Sequence, residues 1–263
     1  MTDAEGNTTT YTYDANGQMT KTTSAMGAET STAYDAIGQQ TSVTNALGYA
    51  TAYEYDVLGR VTKTTYADGS TVSYTYDANG QVLSATDQLG NVTSYTYDAN
   101  GQMLTMTDPM GGVTTYTYDP CGSVASISTP LGLTTTYTYN SLNLVETVTD
   151  PGGHTTSYAY NAVGDVASIT DPMGGTTQYG YDLNGNVTSI TNAEGHTTAY
   201  TYDALNRLSS VTDARGGKTV YEYDNEGRET GETDALSYTA SKTYDGVGNL
   251  ISETDKNGNT WTY

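Results

Sequence analysis

Phenylalanine is absent from this 263-residue chain, tryptophan and cysteine occur once each, and only nine residues are Lys or Arg. Each shortage excludes something. Nine basic residues against thirty acidic ones give a net charge of −21, which would repel a polyanion and excludes nucleic acid as a partner. No apolar run approaches the ~20 residues of a membrane-spanning helix. No basic n-region with an apolar h-region precedes the repeats described below, so an export signal is expected outside this sequence. Cys121 has no second cysteine to pair with, which rules out an internal disulfide and leaves the redox compartment open. Leu, Ile and Val together number 35; with so high a charge, that is the composition of a chain too poor in apolar surface to fold.

Tyrosine contradicts that reading. There are 26 tyrosines, and they come with abundant threonine, another strand-favouring residue. Their order resolves the conflict. Tyr13-Asp14 recurs at positions 34, 55, 76, 97, 118, 139, 160, 181, 202, 223 and 244, always followed by Asp or Asn. The step is 21 residues throughout, in twelve copies without insertion or deletion, and the chain ends inside a thirteenth. A fixed period of this length marks a repeat architecture. Residues 1–263 therefore read as one array of about 12.5 units, expected to be an excerpt of a longer one.

Each unit reads as two strands and two turns. In residues 87–107, Asp-Gln-Leu-Gly precedes a strand to Tyr97, and Asp-Ala-Asn-Gly precedes a second strand to Thr107. Asp, Asn or a small residue first and Gly fourth is type I turn chemistry, with Gly free to take positive φ and open the next strand through a bulge. Pro109, Pro120, Pro130, Pro151 and Pro172 all occupy the second turn position, where φ near −65° is required. The turn residues proper include Asp14 and Gly17, Asp56 and Gly59, Asp77 and Gly80, Asp98 and Gly101, and Asp119 and Gly122. The fold class is all-β: tandem hairpins in a continuous antiparallel sheet.

Strand alternation then sorts the side chains. Twenty-three tyrosines fall in two columns on one face: Tyr11 and Tyr13, Tyr53 and Tyr55, Tyr74 and Tyr76, Tyr95 and Tyr97, Tyr116 and Tyr118, Tyr137 and Tyr139, Tyr158 and Tyr160, and their equivalents. The second strand carries an aliphatic column (Val61, Val82, Met103, Val124) and another three residues on (Ile127, Val148, Ile169). These two have opposite parity, so either a bulge intervenes or both faces carry apolar contact. Ring-to-ring contacts of about 0.5–1.5 kcal/mol per pair are expected to order the array, with neighbouring repeats supplying buried surface that no single unit has. At about 4.8 Å per strand, twelve units extend on the order of 115 Å, and accumulated twist should coil the sheet into a spiral or hollow tube.

The core Gly-x4-Tyr-x-Tyr-Asp-x2-Gly-Arg-aliphatic, standing here as Gly48 to Val61 and again from Gly216 to Arg228, resembles the YD or RHS repeats of bacterial wall-associated and polymorphic-toxin proteins, Tc-toxin cocoons and teneurins. The resemblance covers essentially the whole chain. It implies a spiralling β-sheet shell that encloses or displays other domains, located outside the cell or on its surface. Two features depart from the family: the Arg after the second Gly is mostly Gln, Asn or Ser here, and the usual plug and C-terminal effector are not among these 263 residues and are expected, if present, outside them.

Candidate sites have bland competitors. The repeated Asp could bind divalent cations, but Asn140 and Asn161 replace it without loss of the pattern, which favours a role within the turn. Asp108-Pro109-Met110-Gly111 and Asp171-Pro172-Met173-Gly174 resemble an element near the self-cleavage site of RHS toxins, yet they sit in register with ordinary turns. His154 and His196 occupy a column that tolerates Asn, Ala, Tyr, Ser, Gly and Leu, and neither has a triad partner. Cys121 lies at a turn tip without an activating cation. The expectation is a non-enzymatic shell or stalk without cofactors. Its partners would be neighbouring repeats or domains of a larger parent chain, an enclosed effector domain, or a surface glycan. The glycan belongs to the competing function, a carbohydrate-binding adhesin that uses its tyrosines; the choline- and glucan-binding repeats that work this way rely on tryptophan, here only Trp261. The array starts in register at Asp3 and shows no capping repeat, so exposed edge strands are expected to favour end-to-end self-association.

Overall fold

In the computed structural model the described residues are 1–2, 6 and 8–263; Asp3, the first turn residue in register, lies outside them. Among the described residues there are strands and turns but no helix. The chain divides into two compact units, Met1–Thr134 and Thr135–Tyr263. The first is a meander of twelve strands from Thr10–Tyr13 to Val124–Ser128. The second continues from the strand Thr134–Tyr139, which begins on the boundary, to Thr260–Thr262. Within each unit consecutive strands pair antiparallel, as in Met103–Thr107 against its neighbours on both sides and Val166–Thr170 against its own. The all-β hairpin array expected from the period is what forms.

The turns explain why. At 98–101, Gly101 N–H donates to the Asp98 carbonyl (3.1 Å) and Asp98 N–H to the Gln102 carbonyl (2.9 Å), a type I turn closed by a glycine bulge. Gly101 has φ 85°, a value glycine reaches without the penalty other residues meet. Asn143, Asn206 and Ser237 take this place in three turns, with φ of 60°, 60° and 68°. Asp98 Oδ1 also accepts the N–H groups of Asn100 (2.9 Å) and Gln102 (2.8 Å), so one carboxylate organises the whole loop.

The parity question is decided by a second bulge. Tyr97 stands opposite Met103 and Tyr95 opposite Met106, with Leu104 as the extra residue between them. The same shift recurs at the equivalent place in the other hairpins of this type, for example between Thr117 and Tyr118 and between Ala159 and Tyr160. One inserted residue reverses the alternation. Both aliphatic columns therefore join the tyrosines on one face. The other face carries hydroxyl pairs: Thr96 with Thr105 (2.6 Å), Thr117 with Ser126 (2.6 Å) and Thr149 with Thr155 (2.8 Å). No hydrophobic side chain among the described residues is buried, and Ser210 is the one buried polar residue. The accessible surface is 16633 Å², against about 11,000 Å² for a globular protein of this mass. Packing is local, from one strand to the next.

Candidate functional site: the tyrosine face and the turn edge

Within each unit the tyrosine of the Tyr-Asp pair, from Tyr34 to Tyr118 and from Tyr160 to Tyr244, reaches back to the preceding repeat. Tyr118 donates its hydroxyl to the Met103 carbonyl (2.8 Å), fifteen residues upstream and beside the bulge. Tyr55, Tyr76 and Tyr97 do the same to Gln40 (2.7 Å), Val61 (2.7 Å) and Val82 (2.9 Å). Tyr160, Tyr181, Tyr202 and Tyr223 repeat it in the second unit, at 2.6–2.9 Å. A hydroxyl on a rigid ring thus fixes the spacing between successive hairpins. Burial holds the Tyr97 and Tyr118 phenols above the ordinary tyrosine pKa, with neighbouring tyrosines and carboxylates adding to the shift.

The rings do not stack on one another as the columns suggest. Among the described residues one ring pair is in contact, Tyr74 with Tyr76 in the same strand, with centroids 6.5 Å apart. Like strands in successive repeats are two strand spacings apart, roughly 9.6 Å, beyond the ~7 Å at which rings interact. An aliphatic residue fills the gap: Tyr76 faces Val82 and Tyr139 faces Val145. The other column members, Tyr53, Tyr74, Tyr95, Tyr116, Tyr137 and Tyr158, are half-buried, while Tyr11 and Tyr13 at the start of the array are exposed.

The residue after the second turn adds a link that the sequence reading left as an unspecified outer contact. Arg60 bonds Asp56 through Nε (2.6 Å) and the Asp77 carbonyl of the next repeat through Nη1 (2.9 Å), and its guanidinium lies 4.6 Å from the Tyr76 ring centroid. Arg207 and Arg228 repeat all three contacts. Where the residue is Gln the reach is kept: Gln81 Nε2 donates to the Gly101 carbonyl (2.7 Å) and Gln102 to that of Gly122 (2.9 Å). Where Gln18, Gln81 and Gln102 stand in place of the family's Arg, the donor changes and the bridge is kept. The available signal was a long N–H donor at one register position.

The turn carboxylates are committed inside their loops. Asp14, Asp56, Asp77, Asp98 and Asp119 each take two backbone N–H groups on Oδ1, closing onto Gly17, Gly59, Gly80, Gly101 and Gly122. Asn140 does likewise with its amide oxygen, as the structural reading requires. The Asn91 side-chain amide, together with the Asn91 backbone N–H, holds Asp87 below the usual carboxylate range. Among the described residues no three His, Cys, Asp or Glu side chains gather where they could hold a metal ion. His154 pairs only with Asp150 of its own turn (3.0 Å), in the open, and Cys121 is exposed at its tip. The grooves on the surface are shallow; one of ≈ 680 Å³ lies between successive turns, lined by Asp98, Gln102, Tyr116, Tyr118 and Cys121. No nucleophile–base pair meets there.

Comparison with known proteins supplies the context. The model of the RHS repeat family matches nine segments, residues 1–29, 34–71, 76–112, 97–132, 122–155, 139–172, 160–197, 181–218 and 202–239. The crystal structure of TcdB2-TccC3-Cdc42 aligns with 96% of this chain and 18% of its own at a TM-score of 0.52 and 16% identity. A structure of the Photorhabdus luminescens Tc holotoxin pore, with a substituted TccC3, aligns with 94% of this chain and 19% of its own, at 0.53 and 16%. The chain thus spans about a fifth of the length of these proteins, and the likeness is one of fold. Comparison with curated proteins gives no match.

Proposed function

The chain belongs to the RHS repeat family, and from that premise we propose that it is a length of wall: a non-enzymatic structural segment of a secreted or cell-surface protein, which encloses or displays an effector domain carried by the parent chain. One observation carries this reading. The hydroxyl-to-carbonyl bond of the Tyr-Asp tyrosine ties hairpin to preceding hairpin within each unit, from Tyr34 to Tyr118 in the first and from Tyr160 to Tyr244 in the second. Such a device builds extent and fixed spacing, and nothing in it touches a reacting group. The two faces suit a wall as well, one of half-covered tyrosines and aliphatics and the other of paired hydroxyls. The fold shared with TcdB2-TccC3 supports the same reading.

Protease protection in the intact parent protein tests it. A domain held behind the wall should resist cleavage while the repeats are folded and be cut rapidly when several ladder tyrosines are replaced by Ala. Equal cleavage rates with and without the substitutions would overturn enclosure. On a glycan array the isolated chain should bind nothing, and saturable binding would overturn the purely structural role in favour of an adhesin.

A further inference from the structure

The turn tips carry a pattern that hairpin formation does not require. The third position of a type I turn is open to solvent and is usually polar. In the first unit, however, the six described turns that precede each Tyr-Asp strand all expose a large apolar side chain. Five place it third: Met26 (95% exposed), Leu47, Leu89, Met110 and Leu131. The sixth turn opens with Tyr66, beside the exposed Tyr49. In the second unit, turns of the same type hold Gly152, Glu194, Arg215 and Asn257 at that third place, with Met173 and Leu236 as exceptions. Identical backbone hydrogen bonds close both sets, so the apolar tips are not there for the turn.

The other series of turns shows the reverse. Five of the six turns that follow the Tyr-Asp tyrosines in the second unit expose Leu142, Val163, Leu183, Leu205 or Val247. In the first unit four of the six have only Asn16, Asn79, Asn100 or Cys121 at the third place. Two rows of apolar tips, or rails, therefore exist, one on each series of turns and each densest in its own unit, although Ile37 and Leu58 in the first unit and Met173 and Leu236 in the second stand outside them; both rows follow the 21-residue repeat. A row of exposed apolar side chains rimmed by polar turn residues has the character of an interaction site, and Met is a side chain that adapts to a facing surface.

We propose that these rails are complementary docking surfaces between two copies of this chain, the first-unit rail of one copy seating on the second-unit rail of another. The shared period is what selects a second copy as the occupant: tips spaced every two strands, roughly 9.6 Å apart, interdigitate only with a partner of that spacing. Six four-residue turns also fall within the about twenty to thirty residues a side of a standard interface. Because the two rails differ, the contact is heterologous, leaves one rail of each copy free, and extends beyond a dimer. The proposal goes beyond the wall reading and would hold equally for a stalk. It also differs from end-to-end strand pairing, since no backbone edge takes part.

Sedimentation velocity of the full chain, across protein concentration and at low and high salt, tests it. Salt should promote association by screening the net charge of −21. One variant carries Leu47→Asn, Leu89→Asn and Leu131→Asn; the other carries Leu142→Asn, Val163→Asn and Leu205→Asn. Asn already stands at the third place of similar turns, at Asn79 and Asn100, and circular dichroism checks that each variant folds. The expected result is that each variant alone stays monomeric in high salt, while a mixture of the two forms a complex that stops at one copy of each. A wild-type chain that remains monomeric in high salt would overturn the proposal. So would association that both variants retain, which would assign it to the end strands. Flotation of the wild type but neither variant with zwitterionic lipid vesicles, without self-association, would overturn it in favour of a lipid surface.

Discussion

Removing one hydroxyl measures the link between repeats. Tyr118→Phe keeps the half-buried ring and deletes only the donor to the Met103 carbonyl, a 2.8 Å bond. Such a bond contributes about 0.5–1.5 kcal/mol net, and more where the abandoned acceptor is cut off from water; with Tyr118 half-buried, a loss of about 1 kcal/mol is expected. Tyr118→Ala removes the ring too. Half of a large aromatic's burial is roughly 100 Å², worth about 2.5 kcal/mol at 25 cal/mol per Å², so the total loss should be about 3.5 kcal/mol. That lies at the lower end of the 3–5 kcal/mol typical of enclosed aromatics, because no ring here is enclosed. Tyr49, 60% exposed and outside the columns, serves as control, and its Phe and Ala variants should fall within about 0.5 kcal/mol of wild type. Urea unfolding followed by circular dichroism gives the series. Hydrogen exchange around Val82–Thr86 and Met103–Thr107 localises the effect, which matters in an array whose repeats need not unfold together. A stable Tyr118→Phe, or equal losses at Tyr49 and Tyr118, would refute the account.

Ser237 sits at φ 68° where other turns use Gly; Ser237→Gly should therefore raise stability by about 1 kcal/mol, the left-handed penalty less glycine's entropy, and a lowered urea midpoint would contradict it. At position 60, Arg60→Gln should be milder than Arg60→Lys, because Gln81 and Gln102 already reach the next turn from the same place, whereas Lys keeps the charge without the fork; the order of urea midpoints checks this. Alkali should unfold the array: the Tyr97, Tyr118, Tyr181 and Tyr223 phenols are held above their ordinary value, chiefly by burial. Stability from that source is complete below about pH 10 and lost as pH rises through the folded-state values, so phenolate absorbance and loss of β-structure should rise together. Acid should act through Asp87, Asp245 and Asp255, depressed first by the Asn amide four residues on. Their contribution is present above about pH 4 and disappears as pH falls through the folded-state values; a urea midpoint unchanged between pH 6 and pH 2 would contradict it.

The sequence was most legible where chemistry is local. Asp98 and Gly101 specify a turn from four adjacent residues, and Pro109 or Pro120 can satisfy only one place in it, so hairpins and their period could be read directly. The bulge could not, because it is a backbone event. The extra residue is Leu104 in one hairpin and Glu146 or Ser209 in others, and no side chain announces it. Its consequence, that both aliphatic columns share the tyrosine face, stayed open for that reason. The hydroxyl link escaped as well, since fifteen residues separate donor from acceptor and only the folded register brings them together.

A compositional trace of that link was nonetheless visible from the start, in the missing phenylalanine. If the columns needed only a ring, Phe would serve as well as Tyr and would be cheaper to bury. A chain with 26 tyrosines and no phenylalanine selects the hydroxyl, and the structure shows what the hydroxyl does in the Tyr-Asp column. The same logic separates the two columns. The other column, two residues earlier in each strand, gives up its tyrosine twice: once to Thr32, and in a later repeat to Lys242, which pairs with Glu229 (3.0 Å). The Tyr-Asp column admits no substitution in twelve copies. The column that bonds the preceding repeat is invariant within this chain, and the column that only covers its neighbours is not.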